Sequence, residues 1–397
     1  MTQEKLDEYM ADSEFYAEEA VPLSDVCRFM MRGKHPDYVD DSPIRALNQK
    51  AVRWNEIQEE HLKYHNPDTD MFDNRFLREG DIVINSTGVG TLGRCYYFRY
   101  TPDDMFADSH LTILRTEEDR LDPEYLYYIL SSPEYQKKIE NLASGSTGQT
   151  ELLKRDITSL EVSFPDLETQ RKITSNLRPF DLLEKANRKA IKKLDLCLQN
   201  IFEQNFADPE TNLSTIDDVE EVDLPEGLNV KKLGDILSLE YGDGLPKRER
   251  EGDSYPVYGC TGVTGSHNES LVQGPGVIVG RKGANFGTVS LSMDDFWPID
   301  TTFYVEPKED YGMMFFYHLL KSVPFQHLGS DSAVPGLNRD AALSQKVIVP
   351  PIEQAQYFSD QFFPFHRMRM TLREENETIR ETKGAILPQC ISGNADI

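Results

Sequence analysis

Residues 158–170 read TSLEVSFPDLETQ, and residues 343–356 read LSQKVIVPPIEQAQ. Each carries an apolar, β-branched run to a proline, Pro165 or Pro350, then continues through Leu167-Glu168 or Ile352-Glu353 to a glutamine, Gln170 or Gln354. Proline cannot donate to a ladder but suits the first turn of a helix, so each stretch predicts a strand giving way to a helix. The offset of 185 carries on to Arg178-Pro179-Phe180 and Phe363-Pro364-Phe365. Upstream, Lys154-Arg155-Asp156 matches Asn338-Arg339-Asp340 at an offset of 184, and residues 108–115 parallel residues 300–307. Aromatic-rich stretches follow at 124–132 and 314–322, and the copies open on Leu23-Ser24-Asp25-Val26 and Leu233-Gly234-Asp235-Ile236. One order kept across all these landmarks marks an internal duplication.

Each half therefore reads as a β-rich domain followed by a helix, an α+β architecture repeated in tandem. Short apolar runs bounded by Gly, Asn, Asp and Pro, such as DIVIN, CYYFRY, PGVIVG and TTFYVEP, predict the strands. Beyond Glu168, apolar residues recur at three-four spacing through Ile173, Leu177, Leu183, Leu194 and Leu198. The second copy gives Phe358, Phe362, Phe365, Leu372 and Ile379. That spacing predicts one apolar seam per helix. A helix of about 39 residues is roughly 58 Å long and cannot hide its seam alone. The two are expected to pair along it, the alternative being that each packs only on its own β domain. The expected boundaries are an acidic N-terminal segment (1–19), a first β domain (20–166), a first helix (167–206), an acidic linker (207–229), a second β domain (230–350), and a second helix with its tail (351–397).

The chain has 397 residues, with 42 basic against 68 acidic and a net charge of −26. Five cysteines, odd in number and without a C-x-x-C pair, form no disulfide framework and fit a reducing cytoplasm. No apolar run approaches the roughly 18–20 residues of a membrane span, and the acidic N-terminus lacks a signal-peptide pattern. A cytoplasmic protein without membrane contact is expected. His61 and His65 stand four apart in HLKYH with no third ligand, so they read as an ordinary exposed helix face and no metal site is expected. The acidic balance opposes nucleic-acid binding on charge alone, yet the local field decides. A uniformly acidic exterior suits a high-salt cytoplasm, where screening shortens repulsion to about 3 Å at 1 M; a halophilic source is the expectation.

Gly88-Val89-Gly90-Thr91-Leu92-Gly93 matches the dinucleotide-binding pattern G-x-G-x-x-G. That fingerprint requires a strand before it and a helix opening within it. The strand is present in residues 81–84, but after Gly93 the chain alternates Cys95-Tyr96-Tyr97-Phe98, strand rather than helix. The second copy, GVIVGRKGANFG (276–287), keeps Gly283 and Gly287 and puts Asn285 at the middle position. The glycines are therefore expected to shape a tight strand-to-strand turn. No phosphate loop, adenine-methyltransferase tetrapeptide, G-x-S-x-G elbow or H-E-x-x-H motif occurs, and no catalytic residue is expected.

Duplicated segments of the form Leu-x-Asp-Val/Ile, then Gly-Asp-Ile-x-Ile-Asn-Ser-x-Gly-x-Gly, then Pro-x-Leu/Ile-Glu-x-Gln leading into a long helix, resemble type I restriction–modification specificity subunits. The second half is the more similar, through residues 241–248, 255–259, 274–283 and 296–302. The resemblance implies two target recognition domains, each followed by a helix, with the helices paired as an antiparallel coiled coil. Each domain would read one half of a split DNA site, with the helices setting the gap. It further implies a non-catalytic subunit that binds double-stranded DNA and no cofactor of its own. Its partners would be two modification subunits that methylate adenine N6 with S-adenosylmethionine, and, in the full assembly, restriction subunits that use ATP and Mg.

A DNA-reading role agrees with basic and aromatic residues in the loops. These are Arg28, Arg32, Lys34 and His35, then Lys50, Arg53 and Trp54, in the first half. In the second they are Tyr241, Lys247, Arg248 and Arg250, then Arg281, Lys282 and Asn285. Lys and Arg neutralise phosphates, and Arg or Asn can pair with base edges. Any one of these alone is more simply an ordinary solvated charge; the RKGAN turn is the strongest candidate, with Thr87 and Gly88 at the equivalent turn of the first half. Gln149 and Asn338 read as structural turn residues, and Trp54, Tyr255, Tyr258 and Trp297 as core aromatics. Two rivals remain: a coiled-coil scaffold without DNA specificity, and a nucleotide-binding enzyme using Gly88–Gly93.

Overall fold

The structure, a computed structural model, describes residues 20–70, 73–88, 90–143, 151–206, 224, 226–329 and 335–392. The expected acidic segment 1–19, most of the 207–229 linker and Gln149 lie outside the described residues. The labelled elements are β1 (Cys27–Arg32), β2 (Ile82–Asn85), β3 (Cys95–Tyr97), β4 (Leu111–Thr116), α1 (Pro123–Ser131) and α2 (Leu167–Phe206) in the first half. The second half supplies β5 (Leu237–Tyr241), β6 (Gly276–Gly280), β7 (Val289–Ser292), β8 (Thr302–Pro307), α3 (Met313–Ser322) and α4 (Ile352–Ser392).

Both halves build the same antiparallel sheet, in the order β1-β4-β2-β3 and β5-β8-β6-β7. A second small sheet in each contains one parallel pair, Arg45–Leu47 with Met105–Ala107 and Tyr255–Gly259 with Trp297–Pro298. The central strands β2 and β6 are buried along their whole length because both faces are covered. Ile82 and Ile84 face the helices, while Val83 faces a core shared with Leu47, Tyr96, Met105 and Ile113. Val277 and Val279 face a core built by α3, α4 and the end of α2, and Ile278 packs on Tyr258 and Phe296.

The ladders also correct the alignment of the copies. Leu23 N–H donates to Leu160 O and Leu233 N–H to Gln345 O, so the offset is 185 here and Lys154 corresponds to Arg339 rather than to Asn338. At the same offset Gln170 corresponds to Ala355, not Gln354. Gln170 is fully buried; its Nε2 donates to Pro165 O at 2.8 Å and Arg120 O at 3.0 Å, and its Oε1 accepts from Asp122 N. That side chain pins the start of α2 to the start of α1, whose Asp122 cap takes the N–H groups of Glu124 and Tyr125. The second copy replaces the glutamine with a buried methyl group.

By packing, the chain divides into two units, Met1–Asn187 with Glu375–Ile397 and Arg188–Glu374. Each unit takes one β domain, one segment of α2 and one segment of α4. The helix boundaries 167–206 and 351–397 thus run across the division into units. Within each unit the two segments run antiparallel. In unit 1, Asn187 meets Glu375, Glu184 meets Arg380 and Asp181 meets Lys383; in unit 2, Asp195 meets Arg369 and Phe202 packs on Phe358.

The expected apolar seam holds only near the β domains. Ile173, Leu177, Leu198, Phe358, Phe362 and Ile379 are buried, and Leu194 and Leu372 half-buried. Leu183 is 44% exposed and Phe365 45%, so neither lies in the seam. Its place is taken by Asp181, Glu184 and Asn187, all buried. Asp181 accepts from Arg99 at 3.0 Å and Tyr128 at 2.9 Å and is paired with Lys383. Buried Glu124 takes Arg99 at 2.6 Å and also Arg178. Removing one partner of a buried, hydrogen-bonded charge set leaves the others unpaired. Asp181→Leu is therefore expected to destabilise unit 1 by about 3–5 kcal/mol, measured by urea unfolding, with partial recovery when Lys383→Met is added.

Unit 2 has its own polar cluster. His318 Nδ1 donates to Gln199 Oε1 at 2.8 Å, so its Nε2 accepts from His366 Nε2–H at 3.0 Å. Burial, with the cations Arg369 and Lys321 nearby, holds both imidazoles neutral; His366 falls to about 3 despite Asp195. A histidine whose folded pKa lies below its unfolded value near 6.5 adds stability that is whole above that pH and lost as pH falls beneath it. The thermal midpoint should drop between pH 7.5 and 5.5, and drop less in a His318→Gln, His366→Gln variant measured by calorimetry.

Candidate nucleic-acid interface

The two glycine turns are β-hairpins, and they superpose by their hydrogen bonds. In unit 1, Asn85 N–H donates to Arg94 O and Gly93 N–H to Asn85 O, both at 2.8 Å. In unit 2, Gly280 N–H donates to Thr288 O and Gly287 N–H to Gly280 O, again at 2.8 Å. Thr91 and Phe286 donate to Gly88 O and Gly283 O. Gly88 thus corresponds to Gly283, Gly93 to Gly287, and Asn285 occupies the place of Gly90. A strand, β3, follows the motif where a dinucleotide fold would place a helix.

Gly88 sits at φ +100°, and a Cβ there would fall 2.4 Å from Thr91 Oγ1 and 2.9 Å from Gln49 Oε1. Gly90, at φ +73°, has open space around it. Gly88→Ala is expected to cost about 1–3 kcal/mol, from backbone strain and overpacking together. Gly90→Ala should cost less, because only the backbone angle opposes it. Urea unfolding of the two variants checks the ranking.

Around the first hairpin the structure gathers Thr87, Lys50, Arg53 and Trp54. Thr87 Oγ1 lies 2.6 Å from Gln49 Oε1 and 2.8 Å from His110 Nδ1. Arg53 Nη1 donates to the carbonyls of Lys50 and Val52, and Lys50 is exposed. Trp54, expected in the core, is 37% exposed and lines a cleft with Gly88 and Gly90. Arg94 lies on the same cleft and was not singled out as a site residue, although it directly follows the glycine motif. Burial and the neighbouring Arg53 lower its pKa. Burial also lifts the Asp108 carboxyl to about 6, against the backbone N–H of His110.

Arg32 and Lys34 do not join this group as free cations. Arg32 donates to Ser109 O and Leu152 O and pairs with Glu151 at 2.9 Å, tying the end of β1 to the segment beside the hairpin. Lys34 Nζ donates to Asp70 O at 2.7 Å. Arg28 pairs with Glu118. His61 and His65 do not share a helix face, since His61 ends a short turn and buried His65 ends a strand, its ring bonded to Asp37 N and Thr69 O.

In unit 2 the exposed Tyr241 ring is flanked by two guanidiniums, Arg281 at 5.0 Å and Arg339 at 5.3 Å. Arg281 also donates to Asp300 O at 2.7 Å, and Arg339 meets Glu240 at 3.3 Å. Arg339 is a second missed residue; its place directly after the helix cap Asn338 was the available signal. Lys282 and Asn285 are exposed at the hairpin itself. Lys247 and Arg248 stand on a separate short turn, where Arg248 pairs with Glu249. Tyr258 is buried, and Trp297 donates to Asp243 O at 3.1 Å. Among the described residues no cluster of three or more His, Cys, Asp or Glu suits a metal, and no helix is long and apolar enough to cross a membrane.

Two β domains of one topology, each with a glycine hairpin beside cations and an exposed aromatic ring, define a duplicated recognition architecture. The profile of the type I restriction modification DNA specificity domain matches residues 21–193 and 225–380. The chain belongs to that family. The MjaIX specificity subunit of Methanocaldococcus jannaschii is 32% identical over 135 residues, about a third of each chain. The putative MjaX specificity subunit of the same organism is 20% identical across 79% of this chain and 78% of that one. The crystal structure of the type I restriction-modification S subunit from M. genitalium shares the fold, with a TM-score of 0.63 at 18% identity, covering 97% of this chain and 98% of that one.

Proposed function

We propose that this chain is the DNA sequence-specificity subunit of a type I restriction–modification complex, each β domain reading one half of a split, asymmetric site. The observation that carries the reading is the same family domain matched twice, each copy presenting a glycine hairpin flanked by cations. Catalysis belongs to partners: two modification subunits that methylate adenine N6 with S-adenosylmethionine, and restriction subunits using ATP and Mg. Partner docking finds support in apolar residues exposed on the helices, Leu182 and Leu183 in unit 1 and Tyr357, Phe365 and Met368 in unit 2.

Co-expression with the modification partner and genome-wide mapping of methylated adenine tests the reading. A bipartite motif with a fixed gap is expected; random or absent methylation would sink it. Lys282→Ala with Asn285→Ala should relax one half of that motif and leave the other unchanged. The scaffold reading, which the exposed helix residues also suit, predicts an assembled complex without sequence-dependent DNA binding.

A further inference from the structure

In a chain of net charge −26, an arginine without a carboxylate is informative. Among the described residues, Arg53 bonds only the carbonyls of Lys50 and Val52, and Arg94 only Gly90 O at 2.8 Å. Neither forms an ion pair, a property shared with Arg45 but not with Arg28, Arg32, Arg99, Arg115 and Arg178 of the same unit. They stand close enough for Arg53 to disfavour the charge on Arg94, which is half-buried. Two like charges held together, one of them partly desolvated, are a cost that an anion would offset.

Beside Arg94 and Trp54, the residue next to Arg53, the surface is shaped. A cleft of about 350 Å³ opens beside the hairpin, its wall carrying Trp54, Gly88, Gly90, Arg94, Gln136 and Glu140. No side chain stands at Gly90 and the space around it is open, so a ligand can approach the backbone there. The half-exposed Trp54 offers a ring for a sugar or base to pack on. Glu140 lies on the same wall without pairing to either arginine, an acceptor for a base amino group.

Resting on the specificity-subunit reading, we infer that Arg53 and Arg94 form a phosphate site at the glycine hairpin of unit 1, with Trp54 packing on the adjoining nucleotide, the pair positioning that half-site on its domain. The shared chemistry is a phosphorylated nucleotide, and its source is a strand of duplex DNA. A free nucleotide held at the same glycines is the competing source.

The test uses the full chain assembled with its methyltransferase partner, and a duplex carrying the site mapped in cells. Affinity is measured against salt. Arg53→Gln and Arg94→Gln should each lower affinity about tenfold and reduce the slope of log affinity against log salt by about 0.9. Arg94→Lys should keep the slope, and Trp54→Ala should weaken binding with the slope unchanged. If Arg94→Gln loses thermal stability, Arg53→Gln, whose bonds are confined to nearby carbonyls, decides. A wild-type slope in the glutamine variants overturns the inference. So does saturable binding of ATP or NAD by the chain that Arg94→Gln abolishes while DNA binding stays unchanged. Absence of sequence-dependent binding by the unsubstituted complex would instead remove the specificity-subunit reading itself.

Discussion

The carboxylate of Asp181, wholly buried in the middle of α2, is the constraint on which unit 1 depends. It receives Arg99 from the β domain, Tyr128 from α1 and Lys383 from α4, and Arg99 shares Glu124 with Arg178. Four elements distant in sequence are tied at one point. Buried ion pairs contribute little net stability over apolar residues of the same shape, because desolvation offsets most of the attraction. What they supply is discrimination: slide either helix by one turn and a carboxylate is left buried without a cation. An all-apolar seam would tolerate that slip, so the polar centre sets register in a helix pair that lacks a long hydrophobic stripe.

Unit 2 meets the same need with different chemistry. Arg369, nearly inaccessible, bonds Asp195 and the Tyr317 hydroxyl, and the His318–His366 pair sits among Phe202, Phe358 and Phe362. Duplication kept the backbone and let the side chains diverge. One pair of glycines that survives in both copies marks where the backbone itself leaves no room. Gly33 and Gly242 face carbonyl oxygens at 2.0 and 2.3 Å from a notional Cβ, Ala107 and Asp108 in one copy and Pro298 and Ile299 in the other.

The duplication, the strand-to-helix switch at Pro165 and Pro350 and the β-hairpin nature of the glycine motif were legible because each rests on local chemistry: proline geometry, strand alternation, positive φ. The seam was not. Asp181, Glu184 and Asn187 look like a solvent face from sequence, since nothing local announces that Arg99 and Lys383 will meet them. Leu183 failed for the complementary reason, an apolar residue at plausible spacing that faces outward. The site was legible in part. Lys50, Arg53, Lys282 and Asn285 lie at or beside the hairpins, as their place in the sequence suggested, while Arg32 and Lys34 are occupied by the fold. Arg94 was passed over, because a guanidinium's freedom depends on whether an acid stands near it, and that is a property of the folded neighbourhood; Arg339, also passed over, has Glu240 beside it.

The same distinction bears on how an acidic protein can hold an acidic polymer. Net charge counts every carboxylate equally, yet Asp81, Glu124 and Asp181 are buried and already matched to arginine or lysine. They project little field outward, and the cations that match them are spent in the same way. Among the described residues, cations without a carboxylate partner stand at both hairpins, Lys50, Arg53 and Arg94 in one unit and Lys282 and Arg281 in the other, while Arg339 beside Tyr241 is paired with Glu240. Beyond a Debye length of about 8 Å at physiological ionic strength, the remaining surface acids are largely screened. Within that distance the balance at the hairpins, not the sum over the chain, governs approach. A change that adds one carboxylate beside Arg94 would alter that balance far more than its unit share of −26 suggests.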